Sequence, residues 1–77
     1  MKGSTGVIVH IDENLDSGNR EQLLQKIEGL DGVLSADLQD KRPHLMIVDY
    51  NPKQTKSLDV LSGVQDSGVH AQLVGWV

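Results

Sequence analysis

Hydrophobic and polar positions along this chain change period from one segment to the next. Gly6 to Asp12 reads Gly-Val-Ile-Val-His-Ile-Asp, a β-branched run that predicts a strand. From Asp16 the period lengthens. Leu23, Leu24, Ile27 and Leu30 form one stripe, and Glu21, Gln22, Gln25, Lys26 and Glu28 lie opposite, as in an amphipathic helix. Asp16 or Ser17 can cap its start with a side-chain oxygen, and Gly29 or Gly32 can end it in a left-handed conformation. Val33 to Asp40 alternates, with Ala36 and Leu38 on one face and Ser35 and Asp37 on the other. Asp40-Lys41-Arg42-Pro43 then turns the chain into a hairpin. Leu45 to Tyr50 is almost continuously apolar, the pattern of a central strand, and Asn51-Pro52 closes it. Thr55 predicts the cap of a second helix whose Leu58, Val60, Leu61 and Val64 face inward and which stops at Ser67-Gly68. Val69 to Val77 reads as the last strand, and Met1 to Thr5 as a short polar lead that frays.

The order strand, helix, strand, strand, helix, strand, with short right-handed connections, predicts an α+β fold. It is the ferredoxin-like βαββαβ sandwich, a four-stranded antiparallel sheet in order 4-1-3-2 with both helices on one face. With 77 residues the chain fits a single domain over positions 1–77. The absence of cysteine excludes disulfides, thiolate catalysis and thiolate metal sites. A net charge of −4 argues against nucleic acid, whose binding depends on cations that displace phosphate counterions. The only tyrosine and tryptophan are too few to stack bases as RNA-binding domains of this topology do. Runs such as Leu45 to Val48 are too short for membrane insertion, so the expected compartment is cytoplasmic.

Three short motifs lie at matching separations. Gly32-Val33 follows the first helix, Tyr50-Asn51-Pro52 follows the third strand, and Gly68-Val69-His70-Ala71 opens the last strand. In these the chain resembles the heavy-metal-associated domains, the fold of small copper chaperones and of metal-binding modules of P-type metal ATPases. The resemblance spans nearly the whole chain and implies a metal-handling context. In that family a Cys-x-x-Cys loop between the first strand and helix clasps Cu(I). Here the loop reads Asp16-Ser17-Gly18-Asn19, and Val69 stands where the family's last motif carries tyrosine, so Cu(I) is not the expected ion. No resident cofactor is expected. No nucleophile and base, and no pair of carboxylates flanking a cleft, can be placed, so the chain reads as no enzyme. Arg20 lies near the position of the phosphate-binding arginine of acylphosphatases, which share the topology, but their glycine-rich loop is missing.

Two sites remain as alternatives. Asp12, Glu13, Asp16, Asn19, Asp66 and His70 should meet at one end of the sheet. A narrower set of His10, Asp12 and His70 across adjacent strands could hold Zn²⁺ or another divalent ion weakly. The plainer expectation is that Asp16 caps the helix and that His44 is a solvated turn residue. The other site is the sheet face that carries no helix. If Val9, Ile11, Met46, Val48, Ala71 and Leu73 point to the helices, then Ile8, Leu45, Ile47, Val74 and Trp76 point away. That makes an apolar surface for a protein partner or a homodimer. The leading expectation is therefore a non-catalytic interaction or regulatory module in metal handling; the alternative is a divalent-ion carrier at the first loop.

Overall fold

A computed structural model describes residues 5–38, 41–42 and 44–76. Strand β1 (Thr5–Ile11) is followed by helix α1 (Ser17–Glu28), strands β2 (Val33–Leu38) and β3 (Leu45–Tyr50), helix α2 (Ser57–Gln65) and strand β4 (Ala71–Trp76). The strands form one antiparallel sheet in the order β2-β3-β1-β4, which is the order expected from the sequence. Expectations for residues 1–4, the turn positions Asp40 and Pro43, and Val77 lie outside the described residues. No helix among the described residues is long and apolar enough to cross a membrane.

Alternation sets the core. Val7, Val9 and Ile11 of β1 and Met46 and Val48 of β3 are fully buried beneath Leu23 and Ile27 of α1 and Val60 and Val64 of α2. Each of these strands presents every second side chain to the helices, so burying one phase leaves the other on the uncovered face.

The helix ends differ from expectation in detail. Asp16 caps α1, its Oδ1 accepting the Asn19 backbone N–H at 2.8 Å. Gly29 ends that helix in a right-handed conformation (φ −82°), and the left-handed glycine is Gly32 (φ +88°) in the connection to β2. The cap of α2 is Lys56 rather than Thr55, and no side-chain hydrogen bond closes that end. Leu58, expected inward, is 65% exposed. It lies two residues before Val60, about 200° around the helix from it, so the two cannot share a face.

Each edge strand carries a bulge with an exposed apolar extra residue. In β2, Val33 pairs with Tyr50 and Ser35 with Asp49, leaving Leu34 unpaired. In β4, Leu73 pairs with Val9 and Gly75 with Ile8, leaving Val74 unpaired. An inserted residue reverses the alternation beyond it. Trp76 therefore stands opposite Val7, in the phase of the helix-facing row, and is 64% exposed. The expectation that Trp76 shares the open face with Ile8 and Ile47 is corrected by that bulge.

Candidate functional site

At the end of the sheet where β1 exits, backbone hydrogen bonds draw three segments together. Ile11 N–H donates to the His44 carbonyl at 2.8 Å, and Asp12 N–H donates to that of His70 at 2.9 Å. Of the predicted loop and metal residues near this end, His10, Asp12, Glu13, Asp16 and His70 already have local partners. The Asp16 carboxylate is held by the Asn19 N–H of its own first turn. His10 Nδ1 lies 3.1 Å from Asp12 Oδ1. His70 turns instead to Glu13: one carboxylate oxygen accepts its backbone N–H at 2.8 Å, and the other lies 2.5 Å from its Nδ1. Asp66 caps the far end of α2 and is exposed. The set His10, Asp12, Asp16, Asn19 and His70 is thus divided among separate pairs. Among the described residues no three His, Asp or Glu side chains gather where an ion could be held. Helix capping and strand tethering draw the oxygens apart because each satisfies a nearer donor.

The Glu13–His70 pair ties the start of β4 to the exit of β1, residues far apart in sequence. The side-chain hydrogen bond from His70, helped by its backbone N–H, holds the Glu13 carboxyl below its ordinary value of 4.5. The same bond, helped by the Glu13 charge, raises the His70 imidazole above 6.5. The His70 part of the stabilisation is present below 6.5 and is lost as pH climbs through the raised value. The Glu13 part is present above 4.5 and is lost as pH falls through the lowered value. In Glu13→Gln, the imidazole C–H resonances of His70 are expected to titrate near the ordinary value. The stability difference from wild type should be largest between 4.5 and 6.5 and should shrink on either side, as read by urea unfolding across pH. Equal His70 titration in both proteins would exclude the pairing.

His44 is not a solvated turn side chain. It is half-buried, its Nδ1 lies 2.7 Å from the Ile11 carbonyl, and its ring stacks on His10 with centroids 5.8 Å apart and planes 16° from parallel. Its neighbour Pro43 suggested a turn, and no sequence signal marked the contact with Ile11, which depends on the antiparallel pairing of β1 with β3.

On the open face, Ile8 stands opposite Ile47, His10 opposite Leu45, and Ile47 opposite Asp37 of β2. Ile8, Leu45 and Ile47 are half-buried, and with Arg42 they line a shallow hollow of about 210 Å³. Asp49, two residues beyond Ile47 on the same phase of β3, is exposed and accepts a hydrogen bond from the Ser35 hydroxyl at 3.1 Å. Of the five predicted surface residues, Ile8, Leu45 and Ile47 lie together, Val74 is the bulge residue, and Trp76 takes the opposite phase. Arg42, which sequence reading placed only in a turn, completes the hollow.

No protein-family model matches the chain, and none of the curated proteins resembles it in sequence. Solved structures do. A copper binding domain from HMA7, a P-type ATPase, superposes with a TM-score of 0.85 at 15% identity, over 94% of this chain and 96% of that one. The Cu(I)-loaded N-terminal domain of a potential copper-translocating P-type ATPase from Bacillus subtilis gives 0.85 at 19% identity, over 96% and 91%. Oxidized MerP from Ralstonia metallidurans CH34 gives 0.80 at 14% identity, over 91% and 96%. These likenesses establish the fold, the one expected from the three motifs, on a chain that has no cysteine.

Proposed function

We propose that the chain is a non-catalytic, cytoplasmic module of metal handling that acts by docking, and that a second copy of the chain docks on its open sheet face. The observation that carries this reading is the uncovered apolar centre of Ile8, Leu45 and Ile47, with Arg42 on one side and Asp49 on the other. A two-fold axis running across the strands at the Ile8–Ile47 pair turns the Arg42 end of each copy toward the Asp49 end of the other. Such self-complementarity is what an isologous dimer requires. Strands about 4.8 Å apart and residues about 3.3 Å apart give the four-stranded face roughly 400 Å² in plan, about half of what each partner buries in a standard stable interface. The association is therefore transient. The metal context is supported by the copper-binding and copper-translocating proteins that share the fold. The absence of thiolates from the Asp16-Ser17-Gly18-Asn19 loop supports docking over copper ligation there.

Sedimentation velocity over a tenfold concentration range tests it. The wild-type coefficient should rise with concentration, Ile47→Asp should abolish the rise, and Arg42→Glu should weaken association about three- to tenfold, the size of a rim charge effect. Arg42→Glu combined with Asp49→Arg should restore it, because the swapped charges still face each other across the two-fold axis. A wild-type protein that stays monomeric throughout overturns the proposal, and so does a double variant no better than Arg42→Glu. Saturable amide shifts from Asp16 to Asn19 on adding Zn²⁺ to a monomeric protein would favour ion carriage at the loop instead.

A further inference from the structure

We infer that proton uptake by the histidines at one end of the open face tightens docking of the second copy, a regulation that rests on the docking proposed above. All three histidines of the chain stand at the Arg42 end of the sheet. His10 lies opposite Leu45, the His44 carbonyl accepts the Ile11 N–H, and the His70 carbonyl accepts the Asp12 N–H. The charged groups beside them are Asp12 and Glu13 beyond β1 and Lys41 and Arg42 before β3. Asp16 and Asp66 also lie at this end, but they close the two helices on the other side of the sheet. Two acids and two bases cancel, so with neutral imidazoles the described residues give this end of the face no net charge.

Each imidazole can take up a proton without leaving its present partner. A backbone carbonyl only accepts, so the 2.7 Å contact of His44 Nδ1 with the Ile11 carbonyl puts a proton on Nδ1. The ionised carboxylates of Asp12 and Glu13 likewise accept from Nδ1 of His10 and His70. An added proton therefore goes to Nε2, and these contacts survive charging, because an imidazolium donates from both nitrogens. Histidine is the side chain whose ordinary titration falls between about pH 5 and 8. The hydrogen bond to Glu13 moves that of His70 upward. Carboxylates ordinarily keep their charge down to about pH 4. Mild acid thus makes the histidine end positive and leaves the Asp49 end negative, while Lys53 and Lys56 lie in the connection that leads away to α2. The two-fold axis sets the histidine end of each copy toward the Asp49 end of the other, so the attraction occurs twice. A docked state that favours charged imidazoles binds protons as it forms, and by linkage its affinity rises as pH falls.

The test is the dimer dissociation constant from sedimentation velocity at about pH 8 and at about pH 5.5, either side of the imidazole range. The wild-type constant should fall about tenfold or more toward the lower value, as expected of two rim contacts worth about threefold to tenfold each. His10→Gln combined with His44→Gln should remove most of that dependence. Asp49→Asn should do the same while leaving every histidine in place, which keeps the test decisive even if the histidine variant folds poorly. The Asp49 variant also separates facing charges from overall charge, since a reduction of the net −4 alone would tighten it as much as the wild type. Equal affinity at both pH values leaves docking in place and overturns control by protons. So does an Asp49→Asn protein with the full wild-type dependence. A wild type that is monomeric at both values overturns the docking and its regulation together.

Discussion

Ile27→Ala is expected to lower the unfolding free energy by about 2–5 kcal/mol, the range for deleting a buried isoleucine side chain down to its Cβ. Ile27 is fully buried in the layer between α1 and the sheet, among Leu23, Val60 and Val64. Its Cδ1 lies 3.4 Å from where a Cβ on Gly63 of α2 would sit, so it also fills the seam between the helices. A chain of this size holds about 4–12 kcal/mol in all, so one substitution removes a large share of it. Urea unfolding should show a lower midpoint with an unchanged slope. Leu58→Ala serves as the control: Leu58 is 65% exposed, and its loss should stay within about 0.5 kcal/mol. A comparable cost for the two would mean that α1 does not pack as described.

Gly32→Ala should cost about 2–5 kcal/mol, through two separable effects. Gly32 has φ +88°, where a side chain costs about 1–2 kcal/mol by crowding its own carbonyl. A Cβ there would also approach Gln54 Cβ and Thr55 Cγ2, each to 2.9 Å, and overpacking adds about 1–3 kcal/mol. The Gly32 carbonyl meanwhile accepts the Asn51 N–H at 2.7 Å, so the loop cannot swing aside without losing that bond. Gly68 separates the effects. Its φ is +89°, but nothing lies within 4 Å of an added Cβ, so Gly68→Ala should show the backbone cost alone, about 1–2 kcal/mol. Equal thermal or urea midpoints for the two variants would remove the steric part of the argument.

The two glycines show how legible the chain was. Both stand in the motifs that carried the resemblance, and both prove to be the positive-φ glycines, so a local backbone demand left a local trace. Asp16 as the α1 cap was equally local, because its acceptor satisfies an N–H three residues on. Leu58 was misread because the short second helix offers several apolar residues, and composition there outweighed phase. Trp76 was misplaced because the residue after the bulge is Gly75, which has no side chain to reveal that the alternation had reversed.

The sequence by itself determined the order of elements, the sheet order, the identity of most core residues and the absence of a thiolate site. These depend on periodicity, short connections and residue type, all of which act between near neighbours along the chain. Only the tertiary structure decided that His70 turns to Glu13 instead of His10, that His44 stacks on His10, and that Arg42 and Asp49 flank the apolar centre of the open face. Those relations depend on strand register and on the path of a hairpin. A one-residue slip in either reassigns every partner across the sheet without changing any local preference.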